Sequence, residues 1–515
     1  MKPNICDFNA FSKLRFALRP PPSGYLTNST PKDKEWYLFK MKNQLLNDTS
    51  KTSKLTLFSF FAMTASMVMT ADKYATFASS GFSLAFFLVA GGFLWFIPVS
   101  LCAAEMATVE GWEEGGVFTW VGKTIGERFG FAAIFFQWFQ ITIGFISMIY
   151  FILGSFSYVF NIPALEQNPF IKFIGVLVVF WALSLSQLGG TKYTAMISKV
   201  GFIAGILFPV LLLFGLTGAY VSSGGPIHLE MNVHTLIPDF KDVDDLVIFA
   251  SFILSFMGIE VSATHVNQLK NPSRNYPLTM IILVVLAIIL NTVGGISVAM
   301  VVPAQNLSYS SGVVQTFENL FRYFNPDLLW MVRILGAMIA IGVMAEVSSW
   351  VVGPSRGLYV AAKDNLLPKI FKKTNGRGIP TNLILGQGII VTIWAAVLTF
   401  GGGGNNLSFL TAISLSVVIY LITYFLFFGA YFILLYKHPD YKRAYQIPGG
   451  RLVKTIIAGV GLLMSIFTFV VTFFPPDQLA PDNYIRYDMI LIISFLVVLT
   501  LPFLLYHIER KKHKT

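Results

Sequence analysis

"SFMGIEVSATH", residues 255–265, puts Gly258, Glu260, Ser262 and Thr264 inside a stretch otherwise apolar enough to cross a bilayer. A helix in lipid satisfies its own backbone groups, and irregular backbone at that depth is tolerated only where it lines a cavity. An ionisable side chain there is costly and marks function. The stretch is therefore read as an interrupted helix. Its counterpart is "TASMVMT" (64–70) in the first apolar stretch, where small and polar residues replace the Leu and Ile that lipid would favour. Interrupted helices at corresponding places in two halves point to the binding site of a secondary transporter. The two stretches are the first and the sixth, which fits a five-plus-five inverted repeat. Direct sequence similarity between the halves is weak and does not establish a repeat by itself.

The rest of the chain agrees. It has 515 residues, is 55% hydrophobic and only 12% charged, against about 25% charged in soluble domains. Apolar stretches recur near 55–78, 82–108, 129–160, 170–189, 193–222, 245–265, 277–302, 327–356, 379–400, 406–436, 453–474 and 485–507. Each is long enough for a ~30 Å hydrocarbon core. The expected fold class is an all-α polytopic membrane protein with twelve transmembrane helices, in contact with the lipid bilayer. The net charge of +11 sits at segment ends and in particular loops, so it does not argue for a nucleic-acid partner. Lys270, Arg274, Lys363, Lys369, Lys372, Lys373, Arg377, Lys437, Lys442 and Arg443 fall on one side. The opposite loops are poor in Lys and Arg, which places both termini in the cytoplasm. Residues 1–54 are read as a flexible cytoplasmic tail without a cleavable signal peptide, although a start at Met41 is also plausible. Residues 55–508 form the transporter domain, and 509–515 a short basic tail. The amphipathic segment 110–130 is expected on the inner side, with Trp112 and Trp120 at the membrane interface. Cys6 and Cys102 are too few for a disulfide framework.

A broken helix exposes N–H groups at one half's start and carbonyls at the other half's end. The first attract a carboxylate and the second an ammonium, so an amino acid is a natural ligand. Ser66 and Met67 lie at the first break; Ser255, Phe256 and Gly258 lie at the second. Glu260 is read as a substrate, gate or proton-linked carboxylate, or else as a structural one bonded to loop backbone. Glu346 and Trp350 are four apart and share a helix face. Together they suit an ammonium-bearing ligand; alternatively Trp350 packs in the bundle and Glu346 pairs with another helix. Tyr420 and Tyr424 repeat that spacing, to gate or bond a ligand or simply to pack. Gln140 is placed to reach the same cavity.

Asp72 and Lys73, in "TADKYATF", pose a separate question. Asp72 lies roughly 25 Å along an α-helix from its start, in the outer half near the mouth of the pathway. Neighbouring residues do not share a helix face, so the two charges are expected to have different partners, with one facing the vestibule and the other snorkelling. Asp72 is then a gating or selectivity residue, or an interface anchor. Lys199 offers an ammonium directed at the broken first helix, the role an internal cation plays in a sodium-driven carrier; snorkelling is the simpler account. Arg356 is read as an anchor or inner-gate partner. The histidines lack metal-ligand spacing, and no phosphate loop or nucleophile elbow occurs. Neither an enzyme, a metal site nor a cofactor is expected.

Several strings resemble a known family. "SRGLYVAAKDNLLP" (355–368) and "AAEMAT…WEEGGVFTWV" (103–121) resemble motifs of the amino acid–polyamine–organocation superfamily. "QLGGTKYTAMISKVGFIAGI", "SATHVNQLKNPSRNYPL" and "AEVSSWVVGPSRG" resemble its bacterial glutamate/γ-aminobutyrate antiporters, over roughly residues 53–508. The resemblance implies a LeuT-like fold with helices 1 and 6 broken, and alternating access without cofactor or ATP. It implies exchange of glutamate for γ-aminobutyrate at the cell inner membrane, and a role in acid resistance through a cytoplasmic amino acid decarboxylase that consumes an internal proton in each cycle. Glu260, Glu346, Trp350, Tyr420 and Tyr424 match acidic and aromatic positions of the family's transport path. Two departures stand out. The family pattern has an aromatic, an acid, Tyr and Pro at 72–75, where this chain has Asp72, Lys73, Tyr74 and Ala75. The chain also ends at "HIERKKHKT", which sets the expectation that gating by a C-terminal plug is missing. Exchange or proton-coupled import of another amino acid is the alternative, and a transporter-like nutrient sensor is a remote one.

Overall fold

The computed structural model describes residues 56–512, apart from 70, 113–115, 241–245, 402–403, 477–478 and 480, with backbone only at 191–193, 195, 264–265, 267–268 and 404–406. The N-terminal tail, the last residues of the basic C-terminal tail, Glu113, Glu114 and the side chain of His265 lie outside the described residues.

The first apolar stretch is two pieces. Helix α1 (Leu57–Val68) is capped by the Thr56 hydroxyl, which accepts from the Ser59 N–H at 3.2 Å, satisfying one of the orphan donors of a helix start. It stops at Met69 (φ −126°, ψ 84°). A 3-10 turn, Ala71–Lys73, leads into the short α2 (Tyr74–Ala78). Then follow α3 (Ser83–Ala107), α4 (Val117–Thr124), α5 (Glu127–Phe160), α6 (Pro169–Gln187) and α7 (Met196–Ser222). The sixth stretch is again divided, into α8 (Phe249–Phe256) and a 3-10 segment, Ile259–Gln268. The remainder comprises α9 (Pro272–Val301), α10 (Gly312–Phe324), α11 (Trp330–Lys363), α12 (Thr381–Phe400), α13 (Gly404–Lys437), α14 (Gly450–Val471) and α15 (Tyr484–Lys512). Among the described residues, 10 helices are long and apolar enough to cross a membrane: α3, α5, α6, α7, α9 and α11–α15. The two divided stretches are the places where the sequence reads interrupted spans.

Burial orders these helices. The most apolar window of α5 is 78% buried and that of α11 72%, against 17% for α15 and 22% for α6. The centre of the bundle is therefore α5 and α11, with α6 and α15 on the lipid side. Close approach is made possible by small residues. A Cβ on Gly205 of α7 would stand 2.3 Å from the Gly342 nitrogen of α11, and one on Gly201 would stand 2.2 Å from Ala345 Cβ.

The C-terminal end of α3 is locked by a buried carboxylate. Glu105 accepts from Arg443 Nη1 (2.6 Å), Lys454 Nζ (2.8 Å), the Tyr431 hydroxyl (3.0 Å) and the Ile447 N–H (3.0 Å). The same loop pairs its backbone with the segment after α3, Glu110 N–H to Lys442 carbonyl and Ala444 N–H to Thr108 carbonyl. Two expectations fail nearby. Trp112 and Trp120 are buried, not interfacial, because Trp112 packs on Tyr441 and Trp120 on Phe427 of α13. The amphipathic segment thus closes on protein, where α4 contacts α5 and α13. Helix α10 falls between the apolar stretches 277–302 and 327–356, where no element is named from the sequence. Its Val313, Phe317, Leu320 and Phe321 are buried on one face, an i, i+4, i+7, i+8 stripe between polar residues.

Candidate functional site

The second break is built around Gly258. Helix α8 stops at Phe256, Met257 is extended (ψ 144°) and Gly258 has φ +103°, a conformation that an L side chain rarely adopts. A Cβ on Gly258 would also meet the Trp350 ring at 2.3 Å. The Gly258 N–H, released from helix bonding, donates to the Tyr424 hydroxyl at 3.2 Å. That hydroxyl donates to Glu260 Oε2 at 2.7 Å. The Tyr420 hydroxyl donates to Oε1, which also accepts from Gln137 Nε2 at 3.0 Å. Glu260 is fully buried, and the cost of burying a carboxylate is offset by these bonds. Side chains of α5 and α13 hold it, an arrangement that the loop-bound alternative did not anticipate.

The first break faces the same ring. The Trp350 indole N–H donates to the Met67 carbonyl at 3.4 Å, one of the acceptors left over where α1 ends. The Ser349 hydroxyl bonds Ser66 at 3.1 Å and Ser198 at 2.8 Å, tying α1, α11 and α7 together. Trp350 meets Tyr420 edge-on at 6.3 Å, and Tyr424 does the same with Trp95 at 4.8 Å.

Between the two breaks lies a cavity of ≈ 30 Å³, room for about two water molecules. Of the residues singled out from sequence, Met67, Gln140, Ser255, Glu346, Trp350 and Tyr420 line it. Ser66, Gly258, Glu260 and Tyr424 stand behind them through the bonds above. Phe256 turns away and stacks on Phe96 at 4.7 Å. Lys73, Ser147, Met257 and Asn291 also line the cavity and were not among the candidate ligands. Gln137 was missed as well. Its signal was present, since it precedes Gln140 by three positions on one helix face, but only the fold brings it to Glu260.

Asp72 and Lys73 are not where the helical count put them. Asp72 is 0% and Lys73 5% exposed, and the two side chains pair with each other. The expectation of an outer position and separate partners assumed two turns of α-helix past the break. Helix α1 instead runs on to Val68 and breaks at Met69, so Asp72 and Lys73 follow the break within a few residues, in a 3-10 turn rather than two turns further along an α-helix. Lys199 is exposed, its ammonium 5.8 Å from the Phe58 ring centroid near the start of α1. The lysine among the residues that line the cavity is Lys73. Arg356 is half-buried.

The profile of the amino acid permease family matches residues 55–499. The chain is 59% identical over 459 residues to the glutamate/gamma-aminobutyrate antiporter of Lactococcus lactis subsp. lactis, covering 89% of this chain and 91% of that protein. The antiporter of the same name from L. lactis subsp. cremoris gives the same values, 59%, 89% and 91%. An uncharacterized transporter of Legionella pneumophila is 32% identical, over 85% of this chain and 92% of its own.

Proposed function

The chain belongs to the amino acid permease family, and from that premise we propose that it exchanges external glutamate for internal γ-aminobutyrate by alternating access. One observation carries the transport reading. A buried cavity lies against both helix breaks, and its lining residues include a lysine, Lys73, and a glutamate, Glu346. The carbonyl end of α1 and the glycine break after α8 supply backbone groups of both polarities for a zwitterion. The substrate pair follows the relatives named above, whose similarity covers 89% of this chain.

The remaining parts of the reading are consistent with this. Counting the two divided stretches as spans gives twelve, arranged as a five-plus-five inverted repeat with broken helices 1 and 6. The excess of Lys and Arg on one side puts both termini in the cytoplasm, with 1–54 as a tail ahead of the 55–508 transporter domain and the protein in the inner membrane. Paired with a cytoplasmic decarboxylase, each exchange cycle would remove an internal proton and so contribute to acid resistance. A second reading, exchange of a different acidic amino acid, is favoured by one feature: Asp72 and Lys73 stand where the family pattern has an aromatic and an acid.

Proteoliposomes loaded with γ-aminobutyrate should take up labelled glutamate, and empty ones should not. Equal uptake by empty and loaded vesicles would replace exchange with uniport or symport. No uptake into either would remove glutamate as the substrate.

A further inference from the structure

The exchange reading does not by itself account for the ion pair at the first break. Exchanging a buried ion pair for apolar residues of similar volume is often neutral or stabilising, so stability gives no reason for Asp72 and Lys73. Their geometry gives one. An ammonium has three hydrogens to donate. Among the described residues the hydrogen-bond acceptor of Lys73 is the carboxylate of Asp72, and Lys73 is part of the cavity wall. Donors therefore remain for a ligand in the cavity. The other charged residue lining the cavity is Glu346, which suits the amino group of a ligand and repels a second carboxylate. Lys73 is the one cation among the lining residues.

We propose that Lys73 sets substrate specificity, its ammonium receiving the side-chain carboxylate of an acidic amino acid while Asp72 holds it in place between turnovers. This deepens the exchange reading and rests on it. A ligand whose single carboxylate is engaged at the helix ends leaves the Lys73–Asp72 pair intact. A ligand with a second carboxylate draws on Lys73 and gains a charge-assisted bond in a water-poor site, where such bonds are strong. An amide in place of that carboxylate cannot reproduce the attraction. Asp72 has two roles in this arrangement. It offsets the buried charge when no acidic ligand is present, and it competes with the ligand, which keeps binding loose enough for release.

The test uses the full chain in proteoliposomes loaded with γ-aminobutyrate, with glutamate and glutamine competing for entry. The wild-type chain is expected to prefer glutamate. Lys73→Met should reduce that preference by roughly tenfold or more while glutamine still enters. Lys73→Arg should keep most of it, and Asp72→Asn should tighten glutamate binding by removing the competitor. These opposite shifts separate a specificity role from a structural one, and the Arg and Asn variants serve if Lys73→Met does not fold. A glutamate-over-glutamine ratio unchanged in all of the variants, with wild-type exchange intact, overturns the proposal alone. Wild-type vesicles that exchange neither amino acid overturn the exchange reading and this proposal with it.

Discussion

Gly258 is under two constraints at once that exclude a Cβ, φ +103° and a Trp350 ring 2.3 Å from the place of a Cβ. Gly258→Ala should destabilise the protein by about 1–3 kcal/mol and stop exchange, because the break is where α8 presents its end to the cavity. Thermal melting in detergent and exchange in vesicles measure the two effects; an alanine variant that melts and exchanges as wild type would contradict the assignment. Tyr424 is the next residue out. Its hydroxyl accepts from Gly258 and donates to Glu260, so Tyr424→Phe strands a buried N–H and a carboxylate oxygen, each worth about 1–3 kcal/mol. Combining it with Glu260→Gln in a double-mutant cycle should give strong coupling, since both act on one network. Additive losses would mean that the two do not act together. At this scale the sequence was informative where a residue type is odd for its depth, as with Gly258 and Glu260. It was uninformative where partners are distant. Nothing local shows that Ser66, Ser198 and Ser349 share hydrogen bonds across three helices.

Elements are joined by packing and, at Glu105, by a buried ionic knot. Glu105 is fully buried with Arg443 and Lys454 on it, and removing one partner of such a pair leaves uncompensated charge, at a cost of about 3–5 kcal/mol. Glu105→Ala should therefore lower the melting temperature sharply, and a variant with an unshifted transition would show that the loop before α14 is held by its backbone pairing alone. Gly205→Leu should force α7 away from α11 at the point where the two backbones nearly touch, seen as lost folded protein on size-exclusion chromatography. Monodisperse, wild-type-like elution would contradict the close approach. Whole spans were legible because twenty apolar residues leave little choice in lipid. Two kinds of element were not. The segment 110–130 has an interfacial composition, yet it is covered by α13 and the 438–449 loop, which sequence distance hides. The polar residues of α10 masked its helical stripe. The 3-10 turn at 71–73 was the third difference: α-helical periodicity was extended past a break, and that misplaced Asp72 and Lys73.

For the whole molecule, burial falls from 78% in the window of α5 to 17% in that of α15, as expected of a central transport core with a lipid-facing flank. The cavity sits in that core, on α5 and α11, with both breaks against it. Its small volume, ≈ 30 Å³, means that the walls must separate for an amino acid to enter. The central claim is that this one cavity opens alternately to the two sides. Ser255→Cys, in a chain with Cys6 and Cys102 replaced, puts a single thiol in the cavity wall for membrane-impermeant reagents applied outside or trapped inside vesicles. The account predicts labelling from either side, slowed by glutamate and by γ-aminobutyrate. Labelling from one side only, or labelling that neither amino acid slows, would contradict it.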